Sequence, residues 1–324
     1  GWISLKNCTP TKFANSTSCS YEFNVSQENI IPLNEKEDIV PFKICSFDIE
    51  ASSSHGDFPL PKKTYKRLVM DILEYWDREN MLNEEQEVQE STLRKIILTA
   101  FRFEEIDNIN HLHLKNEYKP SYQNIDKRIT RWLTEPVRKL SAGVKLEDTV
   151  QHIEDRADSY EFKPWWRSKP KQKDTVLDLL NNSKFDRGDK LDILDKTLKQ
   201  GFPEIEGDKV TFIGSTFMKY GEKNPYKNTC IALDTCDNVE GSEPIIVCKT
   251  EEEVLLKWTE LIQEEDPDIV IGYNIFGFDY RFMFERAKEN NCVEEFLKLS
   301  RNEFSILIIL YGLNLNQVLK TIIL

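Results

Sequence analysis

Asp48 and Glu50 stand two residues apart in the segment Phe42-Lys-Ile-Cys-Ser-Phe-Asp-Ile-Glu50, which alternates and is rich in strand-favouring residues. On a strand, residues i and i+2 leave the same face, so both carboxylates point the same way out of otherwise apolar sequence. Two acids so placed repel each other unless a cation neutralises them, and fixed hard oxygens are what Mg²⁺ or Mn²⁺ binds. A solvated strand edge could carry the same pair with no function. A second group, Tyr273, Asn274, Phe278 and Asp279, lies just past the apolar run Asp268-Ile-Val-Ile-Gly272. Open α/β sheets place their sites at such strand ends. Asp279 would sit at a helix N-terminus, where complementing the helix dipole is its plainer role.

The elements that must position these groups are read from periodicity. Residues 42–50 predict a buried strand, and strand character returns at Lys209–Phe217 and Asn228–Asp234, with a turn around Tyr220–Asn224. After Ile245–Cys248, Thr250 and Glu253 form a capping-box pattern opening a helix with Val254, Leu255, Trp258, Leu261 and Ile262 on one face. Asp268–Gly272 predicts a central strand, and a helix over about 278–290 buries Phe282, Met283 and Ala287. Between the first two strands, residues 64–205 are highly charged with helical patterns at Lys63–Glu79, Thr92–Phe103, Thr175–Leu180 and Lys190–Leu198, so the block is expected to be an inserted helical subdomain. Residues 1–41 mix short apolar runs with Thr, Ser, Asn and Pro, as short strands and loops do. Without the insertion the order is strand, strand, strand, helix, strand, helix, the start of a ribonuclease H-like α/β fold and of other α/β domains besides.

Composition narrows the partners. The chain's 324 residues allow two or three domains. With 43 Lys+Arg against 56 Asp+Glu the formal net charge is −13, so nucleic acid can be met only through a local site, not by global attraction. Seven cysteines with no C-x-x-C pair, and an opening without a signal-peptide apolar region, predict reduced thiols in an intracellular protein. Asn7-Cys-Thr and Asn15-Ser-Thr fit the glycosylation pattern only formally, and Phe304–Leu313 is too short to span a bilayer, so no membrane partner is expected. His111-x-His113 has metal-like spacing without a third ligand nearby. The basic aromatic run Lys163–Lys173 could stack on single-stranded DNA or form a solvated loop with Trp165 and Trp166 packed beneath it.

Phe47-Asp48-Ile49-Glu50 resembles the first exonuclease motif of family B DNA polymerases, and Gly272-Tyr-Asn-Ile-Phe-Gly-Phe-Asp279 resembles their second. Asp57-Phe-Pro-Leu-Pro61 and Asp266-Pro-Asp-Ile-Val270 are similar to the delta-type enzymes and their large-DNA-virus relatives, and the resemblance covers roughly 1–63 and 206–295. It implies a 3′→5′ proofreading exonuclease of ribonuclease H-like fold, in two pieces, 42–63 and 206–300, around the insertion. Asp48, Glu50 and Asp279 would hold two divalent ions, Mg²⁺ or Mn²⁺, one activating water and one stabilising the leaving 3′ oxygen. Tyr273, Asn274 and Phe278 would hold the frayed 3′ end of a primer strand, Phe278 by stacking or wedging. Replication accessory proteins would be partners, at the nucleus or a viral replication site.

The family's third motif, Tyr-x-x-x-Asp, has no counterpart, because no Asp follows Asp279, and no paired-Asp polymerase motif is present. Residues 301–324 turn to Ile, Leu and Asn with little charge, and the chain opens on Gly1. We expect an incomplete or prematurely ended polymerase, read out of frame near its end. Two other classes fit the same residues: a non-catalytic nucleic-acid or replisome-binding fragment, and a freestanding ribonuclease H-like nuclease with a replacement acid, for which Glu285 and Glu289 are poor candidates. The non-catalytic class predicts DNA binding that is unchanged when Asp48 and Glu50 are replaced; a filter-binding assay on Asp48→Ala separates it from the nucleases.

Overall fold

In the computed structural model, residues 2–10, 17–19, 21–53, 56–115, 119–137, 174–237 and 244–301 are described. The run Lys163–Lys173, Asn15 and the stretch Phe304–Leu324 lie outside them. The chain divides into two compact units, one of residues 1–62 with 207–324 and one of residues 63–206.

The first unit begins with four short strands, β1 (Ile3–Leu5), β2 (Thr9–Pro10), β3 (Phe23–Asn24) and β4 (Ile30–Pro32), paired antiparallel as β1 with β4 and β2 with β3. Its main sheet holds β5 (Lys43–Ser52), β6 (Lys209–Lys219), β7 (Lys227–Leu233), β8 (Ile246–Cys248) and β9 (Ile269–Ile271) in the order β8-β7-β6-β5-β9. β5, β6 and β7 form an antiparallel ladder, while β8 joins β7 and β9 joins β5 in parallel. The second unit is helical: α1 (Lys66–Arg78), α2 (Gln86–Ala100), α3 (Tyr122–Thr134), α4 (Val176–Asn181) and α5 (Arg187–Gly201). Completing the first unit are α6 (Glu251–Glu265), α7 (Asp279–Glu289) and the single turn α8 (Val293–Phe296).

One face of the main sheet is dry. Cys45, Phe47, Ile49, Val210, Ile213, Phe217 and Ile231 pack with Val254, Leu255 and Trp258 of α6 and Phe282, Met283 and Ala287 of α7. The Phe47 ring lies 4.7 Å from Trp258 and 5.2 Å from Tyr280, and the buried Trp258 indole donates to Ser215 Oγ at 3.0 Å. α6 starts where its capping box places it: the Thr250 hydroxyl accepts from the Glu253 N–H, and the Glu253 carboxylate accepts from the Thr250 N–H.

The helical unit has its own core, in which Leu68, Ile72, Leu93, Ile96, Ile125, Ile129, Trp132 and Leu198 are fully buried or nearly so. Among the described residues no helix is long and apolar enough to cross a membrane.

Four expectations need correction. β5 is half-buried and not a fully buried strand, because residues on its second face are exposed. β9 lies at the edge of the sheet among the described residues, with Ile269 and Ile271 39% and 49% exposed; a three-residue apolar run does not by itself distinguish edge from centre. Ile246–Cys248 adds a fourth strand before α6. The expected pattern lacks helix α3, although Ile125, Ile129, Trp132 and Leu133 at i, i+4, i+7 and i+8 form the buried stripe of an amphipathic helix. Thr250→Ala removes one half of the α6 cap and is expected to cost about 1 kcal/mol, read as a lowered urea midpoint with unchanged slope.

Candidate active site

The strand alternation puts Cys45, Phe47 and Ile49 into the core and Ser46, Asp48 and Glu50 on the exposed face. β9 runs beside β5 only from Ile44 to Ser46, so beyond Ser46 the edge of β5 is open on that side. There the N–H of Ile49 finds its acceptor in the Asp279 carboxylate, at 3.3 Å. Asp279 opens α7 and is 2% exposed, as expected for its place at a helix start but not for its burial.

The turn between β9 and α7 makes this meeting possible. Gly272 passes so close to β5 that a Cβ there would lie 2.8 Å from the Phe47 carbonyl oxygen and run into Ile275. Asn274 takes a left-handed conformation, φ 54°, and its carbonyl accepts from the N–H groups of Gly277 and Phe278, both at 3.0 Å. A Cβ on Gly277 would run into the Asn274 side-chain amide, which would have to swing aside. Tight turn and helix together deliver Asp279 to the strand edge next to Asp48.

Of the three expected binding residues, Tyr273 is 94% exposed, Asn274 is exposed with its amide against Gly277, and Phe278 is half-buried. Phe278 packs on Phe282 at 5.3 Å and meets Phe58 edge-to-face at 5.5 Å. Phe58, 72% exposed, belongs to the site's aromatic wall and was missed by reasoning on spacing. The signal was an aromatic residue shortly after the paired acids, in Asp57-Phe-Pro-Leu-Pro61. A groove of about 680 Å³ runs over the sheet beside Asp48, lined also by Ser46, Thr216, Asn228 and Tyr273.

The structure brings Asp48 and Asp279 together and keeps Glu50 on the same face of β5, one exposed position further along. Among the described residues no three His, Cys, Asp or Glu side chains close into a metal-holding group, His111 and His113 included. Glu285 pairs with Lys288 at 3.3 Å, while Glu289 accepts from the Gly207 N–H and pairs with Arg286, so both are engaged elsewhere.

Burial pushes the Asp279 carboxyl above the usual carboxylate range; the Ile49 N–H opposes this, and the nearby Asp48 carboxyl, which also shares a hydrogen bond with it, reinforces it. With the native value above the unfolded one, the stability linked to this group is complete below the ordinary Asp range, near pH 4, and is lost as pH rises through the native value. Asp279→Asn is therefore expected to raise the Tm at pH 7.5 without divalent metal, the gain vanishing below about pH 4 in differential scanning fluorimetry.

The sequence matches the family described as DNA polymerase family B, exonuclease domain, over residues 1–121 and 190–311, a match that takes in part of the helical unit and omits 122–189. It is 36% identical over 327 residues to the DNA polymerase of Phaeocystis pouchetii virus, covering 93% of this chain and 31% of that protein. The corresponding figures for the DNA polymerase of Pyramimonas orientalis virus are 31% over 317 residues, 94% and 24%. A shorter stretch of 87 residues is 42% identical to the DNA polymerase delta catalytic subunit of Caenorhabditis elegans, covering 27% of this chain and 8% of that protein. The chain thus spans less than a third of the length of these viral relatives. By that match the chain belongs to the family B DNA polymerases, and what it carries of them is the ribonuclease H-like exonuclease domain.

Proposed function

We propose that the chain performs 3′→5′ exonucleolytic removal of nucleotides from a single-stranded or frayed primer end, as the proofreading part of a DNA polymerase. The observation that carries this is the buried Asp279 set against Asp48 at the open edge of β5. A dry carboxyl raised by burial and by a second acid is an arrangement that a cation relieves, and the donors are all hard oxygens. The donor chemistry therefore suits divalent metal, although the three carboxylates do not close into one group as they stand: Asp48 and Asp279 would hold Mg²⁺ or Mn²⁺, with Glu50 turning toward them from the same strand face. Bound there, two such ions supply Lewis-acid stabilisation of charge on the attacking and leaving oxygens.

The chain's own groups do the rest. Asp48 and Glu50 stand on a strand locked on its other face by Phe47 and Ile49, which keeps their backbone fixed while their side chains stay on the exposed face. Phe58 and Phe278 offer an edge-to-face wall against which the terminal base stacks, and Tyr273 adds a ring at the mouth of the groove. Metal also answers the charge problem, since a net charge of −13 repels DNA except where acids become ligands.

We further infer a domain plan of an N-terminal segment (1–41), an exonuclease domain from 42–63 and 206–300, a helical insertion (64–205) and a tail (301–324). The pairing of β5 with β6 across the helical block supports this plan. DNA replication, at the nucleus or a viral replication site and with accessory proteins as partners, is the setting in which such an activity is used. On a 5′-labelled single strand, Mg²⁺-dependent shortening is expected, falling more than about 100-fold in Asp48→Ala; equal shortening by both proteins would overturn the assignment.

A further inference from the structure

Glu50 occupies an irregular point of the ladder. It pairs with Phe212, but the next residue, Ala51, pairs with Val210, so Thr211 is the extra residue of a β-bulge. Two contacts fix that bulge. The Thr211 hydroxyl donates to the Glu50 carbonyl at 3.0 Å, and the Val210 N–H donates to Glu251 Oε1 at 2.8 Å.

Glu251 is in turn buried against Arg286. The guanidinium donates from Nε to Oε1 at 2.9 Å and from Nη2 to Oε2 at 2.6 Å, both side chains being almost fully inaccessible. The remaining amine, Nη1, donates to the Pro61 carbonyl at 3.0 Å and pairs with Glu289 at 3.1 Å. Glu289 accepts from the Gly207 N–H at 3.0 Å, and Asn290 donates to Glu251 at 2.8 Å. Gly207 must lack a side chain here, because a Cβ would run into Pro61 and the guanidinium. One buried arginine thus ties together the segment after β5, the bulged start of β6, the first turn of α6 and the helix α7.

Arg286 and Asp279 sit seven residues apart on the same buried face of α7, about 10 Å along one rigid helix. The helix end that carries the buried acid is anchored through its far turn to the bulge that carries Glu50. We propose that Arg286, paired with Glu251, is a positioning residue that sets Glu50 and Asp279 in register for joint metal binding. This inference rests on the exonuclease assignment above. Loosening the fork lets the bulge and α7 shift separately, and the acids then hold metal less tightly although each is still present. A partner around a metal ligand commonly tunes affinity in this way.

Mn²⁺ binding to the 324-residue chain, followed by isothermal titration calorimetry without DNA, tests this apart from turnover. Asp48→Ala should weaken Mn²⁺ binding, and if it does not, the exonuclease assignment itself falls and this proposal with it. With Asp48→Ala weakened, Arg286→Lys should weaken Mn²⁺ about tenfold, with exonuclease activity recovering at saturating Mn²⁺. Leu255→Ala, a cavity in the same core outside the network, should leave Mn²⁺ affinity unchanged. Wild-type Mn²⁺ affinity in a folded Arg286→Lys, or equal weakening in Leu255→Ala, overturns the positioning role alone. Should Arg286→Lys fail to fold by circular dichroism, Thr211→Val decides: a loss of about threefold or more supports the proposal and no loss overturns it.

Discussion

The site depends on a carboxylate that replaces a strand. β5 loses its parallel neighbour after Ser46, and the backbone N–H of Ile49 still requires an acceptor in a dry place. Asp279 supplies it. The hydrogen bond that completes the sheet edge is therefore the one that fixes an acid beside Asp48, and structure and chemistry share one contact. The carboxyl resists ionising there because burial and its neighbour both oppose charge. That resistance is unfavourable to the two carboxylates by themselves, and on the proposed reading a cation would relieve it.

Much of this was legible in the residues, and the exceptions have a common cause. On a strand the two-residue spacing of Asp48 and Glu50 places them on one face, and β5 shows that alternation. The cap of α6 and the buried stripe of α7 are likewise local patterns, and each appears where its spacing puts it. Asp279's burial was not legible, because it depends on β9 stopping short beside β5, a long-range pairing. Phe58 reaches Phe278 only in three dimensions. Glu251 is one of three acids in the first turn of α6, yet it is 3% exposed, and nothing near it in sequence names Arg286 as its partner.

The Arg286–Glu251 pair also shows how charge can be placed inside an acidic protein. A buried ion pair gives little stability over a well-packed apolar substitute, since desolvation offsets most of the attraction. What it provides is direction. Five donors in a rigid fork fix the angles between the elements they touch, and an apolar contact, which tolerates sliding, does not.

The clasp between the two ends of the helical excursion has a kinetic consequence. β5 ends at Ser52 and its partner β6 begins at Lys209, so their pairing closes a loop made of everything between. Such closure is slow because its entropy is lost before any contact rewards it. Residues 63–206 carry an independent core, and where they leave and return to the sheet, Leu60 and Asp208 exchange two hydrogen bonds, at 2.8 and 2.9 Å. Once the helices have collapsed, the long loop is effectively a short one. The excursion that separates β5 from β6 in sequence is then what brings the two strands within reach during folding.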